Sequence, residues 1–165
     1  MRNGPVTLRL GLATALSVFA CDQMLKWYLL AAYQLGTRGR VEVTPFFDLV
    51  LVWNRGISYG LFQQGPVGRW LLVALTLAAI VGIFLWLMRV KGRVLALGLG
   101  LILGGAAGNL VDRVVFGAVA DFISLHAGGF YWYVFNLADC AIVAGVAALL
   151  YDSLLGSHKD AAKDT

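Results

Sequence analysis

Four aspartates fall in or beside long apolar stretches of this chain: Asp22, Asp112, Asp121 and Asp139. A charged side chain inside a membrane span is costly unless it is paired or faces water, so each of them needs a partner or a task. Asp121 and Asp139 could do the most together. Two carboxylates brought within a few ångströms cannot both ionise cheaply. One keeps a proton, and the pair can then serve as acid and base around a single water. Such a pair titrates as a unit. This is the physical logic of an aspartic peptidase, although spacing alone leaves a structural pair, a proton relay or an ion site open. Polar neighbours gather at the same places. Asn109, Asp112 and Arg113 close a glycine-rich run, with Asn109 and Arg113 four residues apart and Asp112 and Arg113 placed to share a charge network. Asn136 precedes Asp139. Asp22 and Lys26 are also four apart, so they can neutralise each other on one helix face or brace residues of a site. His126 and His158 are too few and too distant to suggest a metal centre. No metal or cofactor is expected. Cys21 and Cys140 lie in apolar runs and make no disulfide framework.

The elements that must position these groups follow from composition. Of 165 residues, 60% are hydrophobic and 13% charged, whereas soluble domains carry about 25% charged residues. A water-soluble domain is therefore the wrong class, and disorder is excluded because disordered chains are apolar-poor. About 20 apolar residues cross the hydrocarbon core. Four such stretches occur, roughly 8–30, 67–88, 94–115 and 134–154. The chain reads as one domain over 1–165, an all-α membrane protein built as a four-transmembrane-helix bundle. The net charge of +4 points to anionic lipid headgroups rather than nucleic acid.

Orientation follows from Lys and Arg. The short link between the second and third spans holds Arg89, Lys91 and Arg93 with no acid, and Arg2, Arg9, Lys159 and Lys163 share its side. The other side holds Arg38, Arg40, Arg55, Arg69 and Arg113, mixed with Glu42 and Asp48. Both termini are expected in the cytoplasm. Arg2, Arg9 and the apolar run to Cys21 imitate a signal peptide, and Val18-Phe19-Ala20-Cys21 imitates a lipoprotein cleavage box. Phe19 is too bulky for such a box, and the apolar pattern resumes after Lys26, so a retained helix is expected.

Two outer segments remain, 34–66 and 116–133. In the first, Val41, Val43, Phe47, Leu49, Leu51 and Trp53 fall on odd positions, with Glu42, Thr44, Asp48 and Asn54 between them. That period of two predicts short strands with one apolar face, a small β-rich extracytoplasmic segment that either seals the bundle or cradles substrate. In the second, Phe130-Tyr131-Trp132-Tyr133 reads as an interfacial aromatic belt, and a short interfacial helix ending at Gly128-Gly129 is expected. The run Gly100, Gly104, Gly108 contains overlapping small-xxx-small repeats and predicts close helix packing in the third span.

At these residues the chain resembles bacterial lipoprotein signal peptidase, or signal peptidase II. The resemblance rests on Asp22-x-x-x-Lys26, Asn54-x-Gly56, Gly104-Gly105-Ala106-x-Gly108-Asn109-x-x-Asp112-Arg113, Val119-x-Asp121-Phe122-Ile123 and Phe135-Asn136-x-Ala138-Asp139. The blocks run in the family's order from the first span to the fourth, and the Gly-Asn-x-x-Asp-Arg and Asn-x-Ala-Asp blocks together are highly specific. The resemblance implies an aspartic endopeptidase of the bacterial cytoplasmic membrane that cuts the signal peptide from a diacylglyceryl-modified prolipoprotein just before the lipidated cysteine. It implies Asp121 and Asp139 as the catalytic pair. Asn54, Gly56, Gly108, Asn109, Arg113, Asn136 and Ala138 would surround the site, with Asp22, Lys26 and Asp112 in support. It also implies inhibition by the substrate mimic globomycin, an active site toward the extracytoplasmic face, and a monomer among membrane lipids. The competing class is a small ion- or proton-coupled transporter or channel subunit with Asp22, Lys26, Asp112 and Asp139 as its path. Its acids should sit near the midplane, whereas Asp112, Asp121 and Asp139 gather toward one interface.

Overall fold

The computed structural model describes residues 4–56 and 65–161. Arg2 and Lys163, used above for orientation, and the end of the first outer segment lie outside the described residues, as do the side chains after Leu154. Helix α1, Gly4–Trp27, continues as a π-helical turn, Tyr28–Ala32; the short α2, Leu35–Arg38, follows. Strands β1, Val41–Thr44, and β2, Phe47–Asn54, lead to α3, Gly65–Leu87, and α4, Arg93–Phe116. Then come β3, Val119–Ala127, β4, Phe130–Tyr131, and α5, Leu137–Ala161.

Among the described residues four helices are long and apolar enough to span a membrane: Val6–Ala32, Val67–Leu87, Arg93–Phe116 and Leu137–Leu154. They match the four expected stretches within a few residues. Their large apolar side chains face outward. Val67, Trp70, Leu75, Leu77 and Trp86 of α3 are all exposed, which suits a hydrocarbon solvent and would not suit water.

Helix α4 is the centre of the bundle and packs on α1, α3 and α5. Its glycines make that possible. A Cβ on Gly104 would lie 2.5 Å from the carbonyl oxygen of Ala15 in α1, and one on Gly105 would lie 2.5 Å from that of Ala138 in α5. Gly100 meets the backbone of Gly11 in the same way. The small-residue run is thus a packing device on two faces, and it brings α1 and α5 close enough to α4 for side chains at its outer end to interlock. Near the α3–α4 link, Leu87, Val90, Ala96, Leu99 and Leu103 form one apolar core. At the opposite end Leu29, Leu35 and Phe122 form a second, which seats the sheet on α1.

The sheet is antiparallel throughout, in the order β1-β2-β3-β4. The alternation over 41–54 becomes strands as expected. The interfacial helix expected in 116–133 does not form. Residues Val119–Ala127 are a strand paired along β2, with Val52 opposite Asp121 and Asn54 opposite Val119. Gly128 and Gly129 take φ of 58° and 83° between the paired residues Ala127 and Phe130. Two consecutive positive-φ residues make a tight hairpin turn that glycine alone adopts without strain. The Gly-Gly pair is therefore a hairpin signal where a helix end was expected. A buried Asp48 ties the sheet together: it accepts from Arg40 Nη1, and His126 Nε2 lies 3.2 Å away. The hydrogen bond from Arg40 holds the Asp48 carboxyl below the usual carboxylate range.

Candidate active site

The two aspartates arrive from different elements. Asp121 sits on β3 and is buried. Asp139 sits in the first turn of α5. The local reason is a reciprocal cap. Asn136 precedes the helix; its Oδ1 accepts the Asp139 N–H at 3.0 Å, while Asp139 Oδ2 accepts the Asn136 N–H at 3.2 Å. This is the capping-box arrangement with Asn and Asp in place of Ser and Glu. The Asn136-x-x-Asp139 spacing carried that signal in the sequence.

Asn136 also joins the two aspartates. Its Nδ2 donates to Asp121 Oδ1 at 2.7 Å and to Asn109 Oδ1 at 3.1 Å. Asn54 Nδ2 donates to the other Asp121 oxygen at 3.1 Å, and Asn54 Oδ1 accepts the Gly56 N–H at 3.2 Å. Asn109 Nδ2 donates to Asp139 Oδ1 at 2.8 Å. All four carboxylate oxygens therefore accept a hydrogen bond from a fixed amide group. Lys26 sets the direction of this chain. Its ammonium can only donate, and it lies 3.2 Å from Asn109 Oδ1. Asn109 must therefore turn its NH2 to Asp139.

Burial, and next the charge of Asp139, push the Asp121 carboxyl from 3.8 up to about 6; the amides of Asn54 and Asn136 and the charge of Lys26 pull the other way. A carboxyl poised there exchanges protons near neutrality.

Asp22 and Lys26 do pair, at 2.8 Å, but not only with each other: Lys26 is also 2.8 Å from Asp112. Asp112 and Arg113 make no direct ion pair among the described residues, because Asp112 turns to Lys26; they share the charge network only through space. The opposite side of α4 carries Arg113, whose Nη1 donates to the Asn109 carbonyl at 3.4 Å and whose Nε has no partner among the described residues. Its cation acts on Asp139, Asp121 and Asp112 through space. Gly108 and Ala138 pack closely beside Asp22: a Cβ on Gly108 would strike the Asp22 carboxylate and lie 3.6 Å from the Ala138 Cβ. All twelve residues singled out from the sequence thus lie in or beside one network. Sequence reasoning missed Gln23, whose Nε2 lies 3.2 Å from Asp22, 3.1 Å from Asp112 and 3.3 Å from the Gly108 carbonyl oxygen. No pattern in the chain marks it.

A cavity of about 710 Å³ opens beside Lys26 and Asp112, walled by Trp27, Leu51, Trp53 and Phe116. Neither Asp121 nor Asp139 lines it. No group of three or more His, Cys, Asp or Glu among the described residues could hold a metal ion.

Comparison with known proteins bears on this geometry. The profile of the family described as signal peptidase (SPase) II matches residues 14–155. The lipoprotein signal peptidase of Methylorubrum extorquens is 54% identical over 147 residues, 88% of this chain and 86% of the relative. That of Rhodopseudomonas palustris is 53% identical over 154 residues, 90% of this chain and 94% of the relative. A solved structure described as a bacterial membrane enzyme superposes with a TM-score of 0.77 at 24% identity, covering 89% of this chain and 88% of that one.

Proposed function

The chain belongs to the signal peptidase II family, and from that premise we propose how its residues do the work. As a member it is a membrane protease that removes signal peptides from prolipoproteins. The transporter reading finds no support. Asp121 and Asp139 are the catalytic pair, and the observation that carries this is Asn136, one residue that donates to both carboxyl groups, from its side-chain Nδ2 to Asp121 and from its backbone N–H to Asp139. Burial raises the Asp121 carboxyl to about 6, so near neutrality a minor protonated fraction is available to act as the acid, and Asp121 is the member to which we assign the proton. Asp139, at a helix N-terminus, is the carboxylate that takes a proton from water. The water oxygen attacks the scissile carbonyl carbon while Asp121 donates its proton to the carbonyl oxygen. The tetrahedral intermediate collapses as one of its hydroxyl protons returns to Asp121, the C–N bond breaks, and the proton collected by Asp139 passes to the leaving amine. That amine is the α-amino group of the lipid-bearing cysteine.

The asparagines Asn54, Asn109 and Asn136 hold the two carboxyl groups so that little reorganises during the reaction. Arg113, whose buried Nε has no partner among the described residues, is the cation beside them to which we assign contact with substrate. The site lies at the sheet-bearing end of the bundle, opposite the basic α3–α4 link. The positive-inside rule puts that end on the extracytoplasmic face, where the substrate's cleavage site and water are both available. The protein acts as a monomer, accepts diacylglyceryl-modified substrates sideways from lipid, and binds globomycin in place of substrate. The test is incubation of purified protein with a diacylglyceryl-modified prolipoprotein, read by mass spectrometry. The expected product begins at the lipidated cysteine, and globomycin blocks its appearance. Cleavage elsewhere, or equal cleavage of the unmodified precursor, would contradict the reading.

A further inference from the structure

Each aspartate of the pair follows a fully buried alanine, Ala120 or Ala138. Each alanine's backbone N–H is held from another part of the fold. The Ala138 N–H donates to Asp22 Oδ1 at 3.1 Å, across 116 residues of sequence. The Ala120 N–H donates to Asp112 Oδ2 at 3.1 Å. Neither N–H is one that regular structure would satisfy. Ala138 lies in the first turn of α5, where N–H groups have no partner within the helix. Ala120 lies where β3 has a described neighbour, β2, on one side only.

The two acceptors are themselves one unit. Lys26 Nζ sits 2.8 Å from an oxygen of each carboxylate, and Gln23 Nε2 spans them at 3.2 and 3.1 Å. A single rigid body of Asp22, Gln23, Lys26 and Asp112 therefore grips the chain one residue ahead of Asp121 and one residue ahead of Asp139. Moving either grip turns the following carboxyl group away from its partner.

Resting on the catalytic pair argued above, we propose that Asp22 and Asp112, locked together by Lys26 and Gln23, are positioning residues that hold Asp121 and Asp139 in register. What the device needs is an acceptor at each N–H. Charge at Asp112 is dispensable, because two carboxylates around one ammonium leave an excess negative charge in the cluster. An Asn at 112 can place its carbonyl oxygen where Oδ2 now accepts from both Ala120 and Lys26. The new NH2 then faces the Gln23 Nε2, donor against donor, so that one bond is lost while Gln23 keeps its bonds to Asp22 and to the Gly108 carbonyl, and the rescue is partial. A proton relay through Asp112 would instead require the carboxyl group.

The experiment compares kcat and KM for a diacylglyceryl-modified prolipoprotein in micelles, with the melting temperature of each variant as the control for folding. Asp22→Leu and Asp112→Leu are expected to lower kcat by about 100-fold, the scale of an ångström-sized misplacement, with KM within about threefold of wild type. Asp112→Asn is expected to regain at least about tenfold of the kcat that Asp112→Leu loses. Equal loss in Asp112→Asn and Asp112→Leu would overturn the proposal, as would a defect confined to KM or Leu variants that keep wild-type kcat. If the Leu variants do not fold, Asp112→Asn decides alone: kcat within about tenfold of wild type supports the clamp, and inactivity in the folded protein refutes it. Failure of the wild type to cleave would count against the catalytic pair itself rather than the clamp.

Discussion

Replacing Asp121 by Asn should stabilise the protein at neutral pH while abolishing its activity. The folded carboxyl titrates at about 6 against an ordinary 3.8, because burial and Asp139 oppose its charge. At about 1.36 kcal/mol per pH unit, that difference is worth about 3 kcal/mol. Folded Asp121 holds its proton more tightly than unfolded Asp121 does. The stabilisation it provides is therefore complete below pH 3.8 and is lost as pH rises through about 6. Asn cannot ionise, so it escapes the loss. It does turn an NH2 toward Asn54 or Asn136, but that cost does not vary with pH, and only the pH dependence is diagnostic. Unfolding of wild type and Asp121→Asn would be followed in mixed micelles from pH 3.5 to 7.5. The stability difference should move by about 3 kcal/mol in favour of the variant, roughly 6 to 12 °C in melting temperature for a chain of this size. In an Asp139→Asn background the change should shrink, because the second cause of the shift is gone. A difference that stays flat across this range would refute the electrostatic description of the pair.

Gly108→Ala forces a Cβ onto the Asp22 carboxylate; kcat should fall by at least about tenfold, and normal turnover by the folded variant would show that α1 and α4 have slack there. Asn136→Ala removes the cap of α5 and the link between the aspartates. It should cost about 1 kcal/mol of stability and about 100-fold in kcat, and a loss in stability alone would reduce Asn136 to a cap. Gly129→Val places a β-branched residue at φ 83°, which should cost about 1–2 kcal/mol and lower the melting temperature, and an unchanged melting temperature would mean the hairpin does not contribute to the stability measured.

How much of this was legible in the chain depends on how local each signal is. The four spans could be read because hydrocarbon imposes a length and a composition on every crossing segment. Strands β1 and β2 could be read because one face of a sheet is apolar and the period is two. The region 116–133 was misread because Val119, Ala120, Asp121 and Phe122 are buried in succession, so the start of the strand shows no alternation of apolar and polar residues. The Gly128-Gly129 turn was the better guide there. The polar residues of the site stood out for their improbability in apolar surroundings, yet their partners did not. That Asp112 faces Lys26 rather than Arg113, and that Gln23 joins them, depends on how α1 seats against α4, which no spacing along the chain encodes.

The central claim is that two carboxyl groups share one reaction, and it is tested most directly by prolipoprotein cleavage with wild type, Asp121→Asn and Asp139→Asn, each inserted in membranes and folded. Each substitution keeps the size of the side chain and removes the titrating group. The account predicts that wild type cleaves before the lipidated cysteine and that each variant loses at least about a thousandfold in turnover. Near wild-type cleavage by either folded variant would remove that residue from the chemistry and contradict the account.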